Sequence, residues 1–173
     1  MPAEHLQEPF WRRLPSTRWL GLSRWIRAWF FPASARFARR FPERTLHCRW
    51  SGPLPLLEAD PSLLRRVLDN LLGNVRSHTP PETPAHVRIA TANGSAMLEV
   101  ADEGPGLPED ELGRVFHRFY RADSSRSRES GGVGLGLSIV AAIVRAHEGR
   151  VRVASEAGKG TTFSIELPLS PAT

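Results

Sequence analysis

Between residues 60 and 78 the apolar positions fall three and four apart, and Leu64, Val67, Leu68, Leu71 and Leu72 form one stripe. That period predicts an amphipathic helix. Asp60 stands at the N-cap, where a carboxylate accepts backbone N–H groups. Pro61 stands at the first helical position, where its missing N–H is no loss. Residues 135–149 (LGLSIVAAIVRAHEG) repeat the period and are closed by Gly149. Elsewhere the period shortens to two. Residues 85–92 (AHVRIATA) and 96–102 (AMLEVAD) alternate around Asn93-Gly94, a pair that suits a two-residue hairpin turn. Residues 150–156 (RVRVASE) and 160–169 (GTTFSIELPL) read as a closing hairpin, and 44–50 (RTLHCRW) as a weaker strand. A short helix is expected over 109–119 (EDELGRVFHRF), and another over 33–43 (ASARFARRFPE), ending at Pro42.

From residue 45 onward the order is strand, helix, two strands, short helix, loop, helix, two strands. That order predicts an α/β fold: a two-layer sandwich with a mixed sheet and helices on one face. The length of 173 residues suits one domain with a real core. Residues 33–173 are read as that domain. Residues 120–132 (YRADSSRSRESGG) have almost no apolar side chain and are expected to form a mobile loop.

Charge divides the chain in two. The net charge is +5, but residues 1–50 hold ten arginines against three acids, whereas residues 51–173 carry a slight acidic excess. All five tryptophans also lie in the first fifty residues. The body is therefore not a basic nucleic-acid binder. Residues 1–32 form a separate Arg/Trp-rich segment. Within it RWLGLSRWIRAWFF could place Trp19, Leu22, Trp25, Ile26, Trp29 and Phe30 on one helical face, with Arg24 and Arg27 opposite. Such a helix would dock on a partner or lie on a membrane surface. No apolar run reaches the length of a membrane span, and residues 1–13 lack the order of a secretory signal. A single cysteine, Cys48, excludes an internal disulfide and fits a reducing compartment. The expected place is the cytoplasm, with contact to the inner face of the plasma membrane open only to the N-terminal segment.

Four segments carry candidate chemistry. Asn70 and Asn74 share a helix face at i, i+4. They are either solvent-facing polar residues or a pair of amide oxygens for a hard cation such as Mg²⁺. Asp102 ends a strand before the Gly104-Pro105-Gly106 turn. It either forms an Asx-turn or accepts from an exocyclic amine such as adenine's. Residues 115–128 group Phe116, Phe119 and Tyr120 with Arg118, Arg121, Arg126 and Arg128. Last, Gly131, Gly132, Gly134 and Gly136 stand directly before a helix, where bare backbone amides suit phosphate. The spacing is neither a Walker loop nor a dinucleotide fingerprint.

In this order, with the later turn at Gly158, Gly160 and Thr161 as a fifth, the segments resemble the N, G1, F, G2 and G3 boxes of the ATP-binding catalytic domain of bacterial two-component sensor histidine kinases. That domain shares its Bergerat-type fold with gyrase, Hsp90 and MutL. The resemblance covers about Phe41 to Leu169. It implies ATP and Mg²⁺ as cofactors, with Asn70 and Asn74 meeting the metal and the phosphates. It implies that Asp102 accepts from the adenine amine, with Gly104 and Gly106 shaping the pocket and Thr161 close by. Gly132, Gly134, Leu135, Gly136 and Leu137 would border the phosphates. Residues 120–131 would be the ATP lid, with Tyr120 at its start and Arg121 reaching the γ-phosphate. Hydrolysing members carry a Glu where this chain has Asn70, and an amide cannot remove a proton, so transfer is favoured over hydrolysis. Many kinases of this type have a Lys at the position of Ser77; Arg76 or His78 would have to replace its charge.

The same resemblance implies a phosphoacceptor histidine on a two-helix dimerisation domain. His5 lacks the expected context, because no Glu follows it and Pro9 comes one place too soon. The acceptor is therefore expected on another chain, with a response regulator as the indirect partner. The alternative is a regulatory or interaction module that binds ATP and transfers nothing.

Overall fold

The computed structural model describes residues 24–51, 57, 59–120 and 134–169, with the side chains of residues 24–29 and Trp50 outside the description. The element order is α1 (Arg24–Arg40), β1 (Leu46–Ser51), α2 (Pro61–His78), β2 (Ala85–Ala92), β3 (Ser95–Asp102), α3 (Glu109–Leu112), α4 (Gly136–Ala146), β4 (Arg150–Glu156) and β5 (Gly160–Pro168). The five strands form one sheet in the order β1-β2-β3-β5-β4. β1 and β2 are parallel, joined through α2, as a parallel pair requires. The other neighbours are antiparallel, so the sheet is mixed, as expected.

One face of the sheet carries the core. Val87, Ile89, Leu98, Val100, Phe163 and Ile165 are buried there, alternating with more exposed residues. The α2 stripe of Leu64, Val67, Leu68, Leu71 and Leu72 packs onto it, with Val140, Ile143 and Val144 of α4. Asp60 caps α2 as its position predicts, accepting from Ser62 N at 2.7 Å and Leu63 N at 3.3 Å. His147 fastens α4 to that cap. Its Nε2 accepts from Asp60 N at 3.2 Å, while its Nδ1 meets Ile143 O at 2.8 Å.

Two elements differ from expectation. A single helix, α1, runs from 24 to 40 with Pro32 inside it, so a boundary between residues 32 and 33 falls within a helix. Pro32 removes one backbone hydrogen bond, and burial of Phe30, Ala33 and Phe37 along one face outweighs that loss. A bidentate contact at 2.8 Å from Arg36 to Asp69 also ties α1 to α2. The second difference is α3, which stops at Leu112 and gives way to turns. Gly113 follows it, and Phe119 takes a φ of +61°, which no helix accommodates. Residues 1–23, including His5, and residues 121–133, including most of the expected lid, lie outside the described residues. Among the described residues, no helix is long and apolar enough to cross a membrane.

Candidate functional site

The C-terminal half of α2, the end of β3 and the start of β5 converge on one cavity of 490 Å³. The segment before α4 closes its far side. A volume of this size suits a cofactor-sized ligand. Asn70, Asn74, Asp102, Gly106, Tyr120, Gly134, Leu135, Gly136, Leu137 and Thr161 all line it. Residues read from five separate stretches of sequence are thus brought to one place.

At one end sits Asp102, only 8% exposed. The register pairs it with Thr161 across β3 and β5. Its Oδ1 accepts from Gly104 N at 2.9 Å, as the Asx-turn reading of this residue expects. Burial raises the Asp102 carboxyl above its ordinary pKa. The N–H groups of Gly104 and Thr161 and the positive charge of Arg44 oppose that rise. Gly104 itself lies behind the carboxylate: a Cβ there would come within 2.5 Å of Thr79 Cγ2. Gly106 turns the chain with φ +70°, and a Cβ would strike Glu156 O at 2.2 Å. Leu107 and Val115 supply an apolar wall beside these polar groups.

At the other end, two helices face each other. Asn70 Nδ2 donates to Arg66 O at 2.9 Å, which commits its amide nitrogen and leaves Oδ1 as the polar atom toward α4. A Cβ on Gly136 would sit 3.3 Å from that oxygen. Gly136 begins α4, whose first turn therefore brings unpaired N–H groups to the same place. Oxygen donors from two amides, with room for phosphate oxygens and water, form the kind of set that Mg²⁺ takes. Among the described residues no group of three His, Cys, Asp or Glu side chains is placed to hold a metal ion.

Ser77, Arg76 and His78 all border the cavity. The Arg76 guanidinium lies 5.4 Å from the centre of the Phe41 ring. Tyr120 lies under Arg114 at 5.0 Å, and Phe119 N donates to Gly134 O at 3.0 Å. That bond joins the two ends of the segment 121–133. Arg121 and Gly132 fall within this segment, outside the described residues.

Three residues escaped the sequence reading. Ser155 accepts from Leu107 N at 2.8 Å and donates to Gly160 O at 2.8 Å, with Thr161 Oγ1 at 3.0 Å, so it joins both edges of the Asp102 end. Thr79 lines the cavity, and Arg44 holds Thr79 from behind. Their sequence neighbours gave no signal, because every one of these contacts crosses from another element.

Residues 59–171 match the family model described as histidine kinase-, DNA gyrase B- and HSP90-like ATPase. The chain is 43% identical over 125 residues to the probable sensor histidine kinase TcrY of Mycobacterium tuberculosis, covering 70% of this chain and 26% of TcrY. It spans a similar quarter of the sensor histidine kinase CusS of Escherichia coli, 26% of its length, at 43% identity. Among solved structures, the mycobacterial sensor histidine kinase MprB superposes with a TM-score of 0.72 at 34% identity, covering 82% of this chain and 93% of that one. Full-length ShkA, solved with AMPPNP, superposes with a TM-score of 0.69 at 30% identity, covering 82% of this chain and 30% of that one.

Proposed function

Because the chain belongs to the histidine kinase-, DNA gyrase B- and HSP90-like ATPase family, as an ATP-binding catalytic domain of the sensor histidine kinase type, we propose that its cavity holds Mg·ATP and delivers the γ-phosphoryl group to a histidine on a dimerisation/acceptor domain. The observation that carries this reading is the contrast within one cavity. A buried acceptor, Asp102, stands at one end, and amide oxygens with a helix N-terminus stand at the other. The first suits an amine-bearing base; the second suits a polyanion with its counter-cation.

In this reading Asp102 accepts from the exocyclic amine of adenine, and the turn at Gly106 lets the ring approach the backbone. The first-turn N–H groups of α4 donate to phosphate oxygens. Asn70 and Asn74 hold the metal, which when bound offsets the phosphate charge during transfer. Asn70 has no basic atom, and its nitrogen is committed to Arg66 O, so it does not activate water. Arg121 brings positive charge to the departing γ-phosphoryl group. Three of the described histidines have partners in the fold: His147 is locked between Asp60 and Ile143, and His47 stacks on His86 at 4.9 Å.

The test is incubation with labelled ATP, with and without a chain carrying a His-bearing helical pair. Label on that chain, acid-labile and base-stable, is the expected result. Tight ATP binding with no label on any acceptor would leave a nucleotide-binding module in place of a kinase domain.

A further inference from the structure

Arg44 is the buried cation of this fold's described part that the mechanism above leaves unused. It is 3% exposed, four residues after the end of α1 and just before β1. Burying a guanidinium is costly unless its donors are satisfied. Here they fork. Nη1 donates to Thr79 Oγ1 and to Thr83 O, each at 2.7 Å, and Nη2 donates to Pro80 O at 2.7 Å and to Thr79 O at 3.4 Å. One side chain thus holds the whole turn that follows α2.

That turn is the back of the base end. Thr79 lines the cavity, and its methyl group and Asp102 Oδ1 flank the same point beside Gly104. The adjacent residue closes the geometry: Thr45 O accepts from Ala85 N at 2.9 Å, and Ala85 is the register partner of Asp102. Arg44 therefore sits behind the carboxylate, with Thr79 between it and the ligand space.

We propose that Arg44 is a positioning residue for the nucleotide base: it fixes the 79–83 turn against Gly104 and sets a permanent positive charge behind the Asp102 carboxylate. The inference rests on the reading of Asp102 as the acceptor for the adenine amine. Burial works against the ionised form of Asp102, and Arg44 works for it. Arg44 is itself lowered from its ordinary pKa, first by burial, but a guanidinium remains charged. The other charged or titratable groups near the pair are Glu43, Glu82 and Arg76, with His78 at the cavity wall and Glu103 next in the chain.

The two roles separate in two variants. Arg44→Gln keeps amide donors and removes the charge. Arg44→Lys keeps the charge and removes the fork. AMPPNP affinity is measured by calorimetry across pH 5–8 for the full chain, each variant and Asp102→Asn. The ligand's own titration is common to all and cancels. Arg44→Gln is expected to bind about three- to tenfold more weakly near neutrality. Its loss of affinity on acidification should begin at a higher pH than in the parent. Arg44→Lys is expected to lose affinity at every pH with an unchanged midpoint. A folded Arg44→Gln with the parent's midpoint overturns the inference, whatever its affinity. Should Arg44→Gln fail to give a cooperative melt, Arg44→Lys decides, and parental affinity there overturns the inference. If Asp102→Asn binds AMPPNP as well as the parent, it is the base-end assignment itself that falls. If only the Arg44 variants behave like the parent, that assignment stands and Arg44 is structural.

Discussion

Asp102 and Thr161 meet as register partners on two hydrogen-bonded strands, whereas Asn70 and Gly136 come from two helices, the Asn70 side chain facing the Gly136 backbone. The proposed base end is buried and held by hydrogen bonds from several elements: Gly104 N on Asp102, Ser155 with Leu107, Gly160 and Thr161, and Arg44 behind Thr79. The proposed phosphate end is less buried, and Tyr120 and Gly134, which flank residues 121–133, line it. A base is planar and arrives in one shape, so a rigid slot serves it. A phosphoryl group must leave, so the groups around it gain from being able to move. Preorganisation and access are thus divided between sheet and helices.

The largest test of this division is at the phosphate end. Asn74→Ala is expected to slow phosphoryl transfer by about 100-fold or more, in the range seen when one electrostatic stabiliser is removed. Affinity for adenosine should stay within about a factor of two, well under 1 kcal/mol. Equal losses for adenosine and for transfer would erase the distinction between the ends.

Asp102→Asn tests the other end. It should weaken ATP, ADP and adenosine alike by ~1.5–3 kcal/mol, the value of a charge-assisted hydrogen bond. The same change should raise the melting temperature of the free chain by ~2 °C, because a buried charge is removed. The pH dependence has a definite sign. The Asp102 pKa is raised in the folded state, so its contribution to stability is fully present below the unfolded value and is lost as pH rises through the folded one. The stability gap between parent and variant should therefore narrow on acidification, while the parent's ATP affinity falls. Melts and calorimetry over the same pH range check both.

The smallest effect is expected from a region outside both ends. Removing residues 1–23 should leave ATP affinity within about a factor of two. Removing residues 1–32 should instead destabilise the domain by ~3 kcal/mol or more, since Phe30 is buried in the core. Denaturant melts of the two truncations separate these outcomes.

Local rules made much of the molecule readable. The Asp60 cap with Pro61, the Asn93-Gly94 hairpin and the α2 stripe all depend on residues within one or two turns of each other. The candidate residues that line the cavity were readable for a related reason: each stands in a short stretch with its own chemistry. Arg44 was not, because its partners lie 35 to 39 residues away and an arginine before a strand looks like surface. Ser155 met its partners only after β4 and β5 had paired. The continuity of α1 was hidden for the opposite reason. Pro32 is a strong local signal for a break, and tertiary burial of Phe30 and Phe37 overrides it.

The pairing of Asp102 with Thr161 also bears on how the domain forms and fails. The two residues are about 60 positions apart, and a strand pair of such separation closes only after a substantial loss of chain entropy. If that pairing is completed late in folding, ATP acts on an interaction absent from the folding transition state. The nucleotide should then prolong the life of the folded chain by slowing its unfolding, and leave its refolding rate nearly unchanged. In stopped-flow denaturant jumps, the unfolding arm should fall with added ATP while the refolding arm stays in place. Refolding accelerated by ATP would place the base end in the nucleus instead.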